Sequence, residues 1–221
     1  MKLVLYSGGL EKDNRSLDRS FLDLLSKKNP VVAFIPSSSY LSEQEFKAFV
    51  RHYSRFKISR FIHFPIDVPF DRIMFQEVMR SDAIHLAGGN TFYFLNSLRK
   101  AKLLPELRKY VLEKNGVLTG LSAGAILMTE NIEMAAYPEF DRDENNVNLK
   151  NLSALNLLNF AFFPHFKNSA RYDAVFRKYS RTKKKVIYAC PDGAGIVVAD
   201  DEIRFVGPCF GFAGGQKFIV N

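Results

Sequence analysis

The sequence predicts an α/β fold in which a mostly parallel sheet is covered by helices on both faces. Three observations lead to this prediction. Short apolar runs alternate with amphipathic stretches through the first half of the chain, 47% of the residues are hydrophobic, and 221 residues suffice for one domain with a large core. We therefore expect a single domain, residues 1–221, built as a three-layer sandwich.

Apolar runs of strand length define the expected sheet. The first five are Leu3–Tyr6, Val31–Pro36, Arg60–Phe64, Ala83–Leu86 and Val117–Leu121. Apolar residues at three- and four-residue spacing predict helices between them, at Leu17–Leu25, Glu43–Phe56, Asp71–Arg80, Phe92–Leu98 and Leu104–Glu113. Because parallel strands end at one edge of a sheet, the functional crevice is expected at that edge.

The second half of the chain has a different pattern. A polar and acidic stretch around residues 136–146 has no regular period and predicts a functional loop. Strands are predicted at Phe160–Phe163 and Val186–Cys190, with a helix from Asn168 to Tyr179 between them. Three further runs, at Ile196–Ala199, Ile203–Val206 and Lys217–Val220, predict a small antiparallel edge on the main sheet.

Composition and charge exclude several classes of function. The net charge is +8, but its basic cluster, residues 177–185, ends a predicted helix, where cations oppose the helix dipole. A nucleic-acid partner is therefore not expected. The two cysteines, Cys190 and Cys209, have no zinc-site spacing, and no apolar run reaches the length of a membrane span. We expect a cytoplasmic protein with reduced thiols and no membrane partner.

The turn Gly120-Leu121-Ser122-Ala123-Gly124 has the G-x-S-x-G pattern of a nucleophile elbow. It joins a predicted strand to the helical stretch Ala125–Thr129, which is the context that this motif requires. A serine on a sharp turn needs small neighbours so that its hydroxyl can protrude. The pattern makes Ser122 the candidate nucleophile, although glycines after a strand also occur for packing alone.

A second small-residue turn, Ala87-Gly88-Gly89-Asn90-Thr91, follows another predicted strand. In a parallel sheet both turns face the same crevice, so the N–H groups of Gly88 or Gly89 are expected beside that of Ala123. Two such donors could form an oxyanion hole. A phosphate cradle is the alternative, but the chain lacks both common nucleotide-binding glycine motifs.

A serine nucleophile requires a base within hydrogen-bond reach, and the chain has four histidines. His165 follows the predicted strand Phe160–Phe163, so it lies at a strand end, as Ser122 does. The others suit structural or surface roles: His63 and His85 lie inside apolar strands, and His52 lies on an amphipathic helix. His165 is therefore the candidate base.

Four motifs in order resemble the aspartyl dipeptidase (dipeptidase E) family of serine peptidases, whose relatives include cyanophycinase. The motifs are Leu86-Ala87-Gly88-Gly89-Asn90-Thr91-Phe92, Gly120-Leu121-Ser122-Ala123-Gly124-Ala125, Ala154-Leu155-Asn156-Leu157 and Pro164-His165-Phe166-Lys167-Asn168. The resemblance spans the N-terminal strand to about Gly193. It implies a flavodoxin-like sheet similar to that of class I glutamine amidotransferases. It also implies a Ser-His-Asp/Glu triad without a metal or another cofactor.

Carried over by residue, the resemblance makes Ser122 the nucleophile and His165 the base, with Gly88, Gly89 and Ala123 in the oxyanion-hole region. The acid is less well defined. When the family's aspartate position is counted forward from Ser122, it falls near Tyr137, which cannot serve as an acid. When the same position is counted back from the Ala154 motif, it falls on Asp143. Asp143 is therefore the expected acid. Four carboxylates remain as alternatives: Glu139, Asp141, Glu144 and Asp192, the last in a Pro-Asp-Gly sequence more typical of a turn.

Arg171 matches a basic position of the dipeptidases and is expected to bind an acidic substrate side chain through a forked contact. A solvated helix arginine is the alternative. The resemblance thus implies hydrolysis of small peptides with an N-terminal Asp through an acyl-enzyme. Cyanophycinase-like or isoaspartyl specificity is the nearest alternative, and an inactive amidotransferase-like binding module is the alternative from another class. The sequence leaves the oligomeric state open, a homodimer included.

Overall fold

The computed structural model describes residues 1–200 and 202–220. It contains eleven strands in these ranges: β1 (Lys2–Tyr6), β2 (Val31–Ile35), β3 (Arg60–His63), β4 (Ala83–Leu86), β5 (Val117–Leu121), β6 (Ala161–Phe163), β7 (Ile187–Ala189), β8 (Gly195–Ala199), β9 (Glu202–Val206), β10 (Phe210–Ala213) and β11 (Gln216–Ile219). The five strands expected in the first half all form, with ends that differ by one residue at most.

The described residues form seven α-helices: α1 (Arg15–Leu24), α2 (Ser42–Ser54), α3 (Arg72–Val78), α4 (Thr91–Lys100), α5 (Leu104–Leu112), α6 (Ala123–Ile126) and α7 (Ala170–Thr182). The acidic loop after α6 contains two short 3-10 turns, Glu133–Ala136 and Glu139–Asp141. Asp71 and Asn90 begin α3 and α4 as side-chain caps, each accepting a hydrogen bond from the backbone N–H three residues ahead.

The main sheet has seven strands in the order β3-β2-β4-β5-β1-β8-β9. The first five are parallel, whereas β8 and β9 add an antiparallel edge. Side chains alternate between the two faces, and each face is buried: Leu3 and Leu5 of β1 pack with α4 and α5, and Val4 and Tyr6 pack with α1 and α2. The predicted three-layer α/β class and the antiparallel edge are therefore confirmed.

The structure contains a second sheet, which the sequence did not predict. It has the order β11-β10-β7-β6, with β6 and β7 parallel and the other neighbours antiparallel. The prediction that residues 217–220 extend the main sheet is wrong, because β11 pairs with β10 instead. One face of this sheet is rich in phenylalanine and packs on α7 around Phe163, Phe176 and Phe212. The second sheet and α7 thus cover an aromatic core of their own.

Candidate active site

Ser122 occupies the sharp turn between β5 and α6. Its backbone has φ 51° and ψ −106°, a conformation that costs a non-glycine residue energy and often marks functional sites. The Ser122 N–H donates to the carbonyl of Tyr6 at 2.9 Å, which holds the turn against β1. The flanking glycines are required by close packing. A Cβ on Gly120 would lie 2.4 Å from the Gly124 backbone, and one on Gly124 would lie 2.2 Å from the carbonyl of Leu86.

His165 follows β6 and reaches the turn that carries Ser122. Its Nε2 lies 2.9 Å from Ser122 Oγ, which is hydrogen-bond distance. The His165 backbone also has a positive φ, 54°, and the next residue, Phe166, donates its N–H to the carbonyl of Cys190. The side chain is about half exposed, at 48%, so a substrate can reach it. The structure brings the expected nucleophile and base together.

Asp192, in the loop after β7, contacts the other imidazole nitrogen of His165. The distance between Asp192 Oδ1 and His165 Nδ1 is 2.7 Å. Gly193 has φ 80° and donates its N–H to the carbonyl of Gly8 at 3.0 Å, so the turn is tied to the loop after β1. Ser122, His165 and Asp192 thus form the serine, histidine and carboxylate arrangement in which the acid orients the imidazole.

The expectation that Asp143 contacts His165 is wrong in this structure. Asp143 Oδ2 accepts the backbone N–H of Thr91 at 2.7 Å, and the Asp143 N–H donates to the carbonyl of Ala135. Asp143 therefore ties the acidic loop to the start of α4. The position counted back from the Ala154 motif thus lines the same cleft as His165, but its carboxylate bonds to the start of α4 and not to the imidazole.

The other carboxylates of the acidic loop also have different surroundings. Asp141 accepts the Tyr172 hydroxyl at 2.5 Å, and burial, followed by this bond, raises the Tyr172 pKa to about 12. Glu144 pairs with Arg142 at 3.3 Å. Glu139 is exposed. Of the five carboxylates considered from the sequence, Asp192 is the one in hydrogen-bond contact with His165 within the described ranges.

Two residues that the sequence analysis did not assign support the histidine. Ser7, which is fully buried, accepts the backbone N–H of His165 at 2.7 Å and donates to the carbonyl of Cys190 at 2.5 Å. Gly8 lies under the His165 and Asp192 pair. A Cβ on Gly8 would fall 2.2 Å from the imidazole and 2.4 Å from the carboxylate. The sequence signal for these two residues is the small-residue turn Ser7-Gly8-Gly9, which directly follows β1.

The oxyanion-hole candidates lie at the ends of β4 and β5. Neither Gly88 nor Gly89 donates its backbone N–H to another residue in the described ranges. Gly89 has φ 136°, and a Cβ there would lie 2.1 Å from the Ser37 hydroxyl, so only glycine fits. Ala123 is the first residue of α6, where the N–H has no partner within the helix. These donors suit a developing negative charge near Ser122.

A cleft of about 820 Å³ opens over Ser122 and His165. Its charged lining combines three carboxylates with two cations: Asp141, Asp143, Asp192, Arg142 and Lys167. Lys167 is exposed, and its ammonium pairs with no other residue of the part of the chain that the structure describes. A cleft with both signs of charge can hold a small zwitterion.

Arg171 does not line this cleft. Its guanidinium stacks on the Phe140 ring, 3.4 Å from the ring centroid, and its side chain is exposed. This geometry therefore gives no support to the expected contact between Arg171 and the substrate. Lys167, two residues after His165 in the sequence, does line the cleft.

The remaining histidines have structural surroundings. Burial lowers the pKa of His85 to about 3, and its Nδ1 lies 2.6 Å from the Thr119 hydroxyl. Burial also lowers the pKa of His63. The interpretation of His52 as a surface residue is wrong, because its imidazole is 13% exposed and contacts Asp18 at 2.8 Å. That hydrogen bond is the main cause of its raised pKa.

Within residues 1–200 and 202–220, no group of three or more His, Cys, Asp or Glu side chains could hold a metal ion. In the same ranges, none of the helices has both the length and the apolar character that crossing a membrane requires.

Comparisons with known proteins agree with the resemblance drawn from the motifs. The family model described as "Peptidase family S51" matches residues 3–206. The Bacillus subtilis (strain 168) protein named "Uncharacterized peptidase YgaJ" is 29% identical over 212 residues, which cover 92% of this chain and 86% of that protein. The Drosophila melanogaster protein named "Probable alpha-aspartyl dipeptidase" is 33% identical over 96 residues, 41% of this chain and 35% of that protein.

Among solved structures, a crystal structure of a peptidase from an acI-B1 Actinobacterium has a TM-score of 0.75 to this chain at 14% identity. The match covers 100% of this chain and 93% of the other. At this identity the likeness establishes the fold alone.

Proposed function

This chain belongs to peptidase family S51 and is a serine peptidase, and we propose that it hydrolyses small peptides with an N-terminal aspartate. The observation that carries the proposal is the continuous contact from Ser122 Oγ through His165 to Asp192, at 2.9 Å and 2.7 Å. The printed name of the Drosophila relative supports the choice of substrate. The proposal puts the enzyme in the cytoplasm, where its thiols stay reduced.

The proposed reaction uses the three side chains in sequence. Ser122 Oγ attacks the peptide carbonyl carbon while His165 Nε2 takes the hydroxyl proton. The C–N bond then breaks, and the imidazolium returns that proton to the leaving amine. Water attacks the resulting ester with His165 again as base, which frees the acid product and Ser122. Asp192 keeps Nδ1 protonated and stabilises the transient positive charge on the ring.

The negative oxygen of the tetrahedral intermediate needs fixed donors near Ser122. We assign this role to the N–H of Ala123 and to that of Gly89, which lines the cleft. Gly88 is the weaker candidate of the glycine pair, because it faces a separate cavity on the α1 and α2 side of the sheet. Removing one such donor typically costs about 10²–10³ in kcat.

The charges of the cleft fit the ends of an aspartyl dipeptide. We assign the substrate side-chain carboxylate to the Lys167 ammonium, since the lining cation Arg142 already pairs with Glu144. The substrate amino group can approach Asp141 or Asp143, whose carboxylates line the same wall. Lys167 is exposed in the free cleft, so this pair contributes to specificity to the extent that the bound peptide excludes water from it.

Hydrolysis of a dipeptide panel tests the proposal. The panel contrasts Asp-X, Glu-X, Asn-X and β-Asp-Arg, and the measured quantity is kcat/KM for the purified protein and for Ser122→Ala. We expect Asp-X to be the best substrate and Ser122→Ala to lose about a millionfold in rate. Preference for β-Asp-Arg would replace the proposal with the cyanophycinase-like or isoaspartyl alternative.

A fluorophosphonate separates a wrong substrate from an inactive protein. This reagent forms a covalent bond only with an activated serine. Labelling of Ser122 without hydrolysis of any panel member would overturn the substrate and keep the peptidase chemistry. Absence of labelling would favour the inactive binding module and overturn the proposed activity.

A further inference from the structure

A second cavity lies on the opposite side of the main sheet from the cleft. It has a volume of about 330 Å³ and opens between α1, α2 and the carboxyl ends of β1, β2, β4 and β5. This volume is at the lower end of the range for small-molecule sites. Leu121, directly before Ser122, forms part of its wall.

Aromatic rings form one wall of this cavity. Phe34, Phe49 and Tyr53 pack on one another, with ring centroids 5.0 Å apart for Phe34 and Phe49 and 4.7 Å apart for Phe49 and Tyr53. All three are buried. His85, which is neutral at ordinary pH, stacks on Phe34 at 5.6 Å and adds to the same wall. The body of a ligand that fits here must be apolar.

The polar end of the cavity is organised around Asp18, which is 1% exposed. Its carboxylate accepts the hydroxyls of Tyr6 and Tyr53 at 3.2 Å and 2.9 Å and contacts His52 at 2.8 Å. Glu11 lies 3.2 Å from the second nitrogen of His52, a charge contact without hydrogen-bond geometry. His52, whose pKa is raised, therefore faces two carboxylates, and their negative charge disfavours an anionic ligand at this end of the cavity.

Two acceptors of this cavity have no partner in the described ranges. The Glu45 carboxylate lies at the exposed rim of the cavity and makes no ion pair or side-chain hydrogen bond within those ranges, and its partial burial raises its pKa. Asn14, which is 8% exposed, has its Oδ1 unpartnered, while its Nδ2 donates to the carbonyl of Leu10. No lysine or arginine of the described chain lines the cavity. The accessible unpaired group of this lining is thus the Glu45 carboxylate, and a cation is the complementary charge.

We propose that this cavity binds a small primary amine with an apolar, preferably aromatic, body. The ammonium group pairs with Glu45, and the body lies against Phe34, Phe49 and Tyr53, whose faces also favour a cation nearby. This site is separate from the catalytic cleft, and its ligand is not the peptide substrate. The proposal does not depend on the proposed dipeptidase activity.

Binding of 2-phenylethylamine to the full-length protein tests this proposal, with 2-phenylethanol and 3-phenylpropionate as neutral and anionic probes of the same shape. Dissociation constants are measured by NMR titration. We expect saturable binding of the amine, weaker binding of the alcohol and none of the acid. Equal binding of alcohol and amine, or no saturable binding of the amine, would overturn the proposal.

Variants locate the site. Glu45→Gln should raise the amine dissociation constant by about three- to tenfold, as expected for a partly exposed ion pair. The matched control is Glu43→Gln, on the same helix, whose carboxylate is exposed and lies 3.9 Å from Lys47. It should leave binding unchanged. Ala48→Phe should abolish binding by filling the cavity. If Ala48→Phe does not fold, the dissociation constant of Glu45→Gln alone tests the site.

Protein labelled on Ser122 with a fluorophosphonate separates this cavity from the cleft. We expect the labelled protein to bind 2-phenylethylamine as well as the unlabelled protein does. Loss of binding on labelling would mean that the amine occupies the cleft, and an equal loss in Glu43→Gln would mean non-specific attraction to the acidic surface. Either result would overturn the proposal.

Discussion

The buried hydroxyl of Ser7 accepts the backbone N–H of His165 at a distance of 2.7 Å. The same hydroxyl donates to the carbonyl of Cys190, two residues before Asp192. One side chain from the loop after β1 therefore joins the loop that carries His165 to the loop that carries Asp192. The separation of 2.7 Å between His165 Nδ1 and Asp192 Oδ1 depends on where these loops lie.

Ser7→Ala should reduce both stability and activity. It leaves the His165 N–H without its partner, and an unpaired buried donor typically costs about 1–3 kcal/mol of folding free energy. A displaced catalytic group also loses rate, so kcat should fall by at least about tenfold. The measurements are kcat on the preferred dipeptide and the free energy of unfolding from urea titration.

Ser180→Ala is the matched control for Ser7→Ala. Ser180 is also fully buried, and its hydroxyl donates to the carbonyl of Arg177 and accepts the N–H of Gly215. We expect Ser180→Ala to lose comparable stability and to keep the wild-type kcat. Equal loss of kcat in both variants would mean that Ser7 acts on stability alone.

Substrate choice should depend on Lys167 and much less on Arg171. Lys167 lines the cleft, whereas the Arg171 guanidinium stacks on Phe140 outside it. We expect Lys167→Ala to lower kcat/KM for Asp-X by about thirtyfold, which is about 2 kcal/mol. Arg171→Ala should change it by less than about threefold. Neutral Ala-X peptides, assayed with both variants, should show little change.

The reverse order of effects, with Arg171→Ala the more damaging variant, would mean that Arg171 leaves Phe140 when the substrate binds. The substrate carboxylate would then be held by the cation that the sequence predicted. Equal, small effects of both variants would assign the contact to neither residue.

The pH dependence of stability should separate His52 from His63. The pKa of His52 is raised above its ordinary value of 6.5, mainly by the hydrogen bond to Asp18, and Glu11 and Tyr53 also surround it. Its protonated form therefore stabilises the fold, and this contribution is fully present below pH 6.5. It is lost as the pH rises from 6.5 through the raised pKa.

The free energy of unfolding, compared between wild type and variants across this range, measures the effect. The stability difference between wild type and His52→Gln should shrink as the pH rises above 6.5. His63 has the opposite sign, because burial lowers its pKa. The difference for His63→Gln should shrink as the pH falls below 6.5. A His52→Gln difference that grows with rising pH would contradict the assignment.

Much of the fold could be predicted because its signals are local. The strands β1 to β5 and their helices appear in the sequence as separate apolar periods. The Ser122 turn is recognisable because its two glycines are required by close backbone contacts, that of Gly120 with Gly124 and that of Gly124 with the neighbouring strand β4. His165 could be predicted for the same reason, since it lies two residues after an apolar strand.

Asp192 could not be predicted in this way, because its contact depends on a non-local pairing. The parallel register of β6 and β7 sets Phe163 opposite Ala189, so the residues that follow the two strands lie side by side. Because β6 and β7 have three residues each, the sequence has no pattern from which this register could be predicted. The strand β10 was missed because its Phe-Gly-Phe-Ala sequence, followed by two glycines, is typical of a turn.

The rate at which a fluorophosphonate labels Ser122 tests the proposed triad most directly, because it reports serine activation without a substrate. Wild type, Asp192→Asn and Asp143→Asn are compared under identical conditions, with labelled Ser122 quantified by peptide mass spectrometry. The account predicts a fall of about 10⁴-fold for Asp192→Asn, as in comparable triads, and a wild-type rate for Asp143→Asn. A wild-type rate for Asp192→Asn together with a large loss for Asp143→Asn would contradict it.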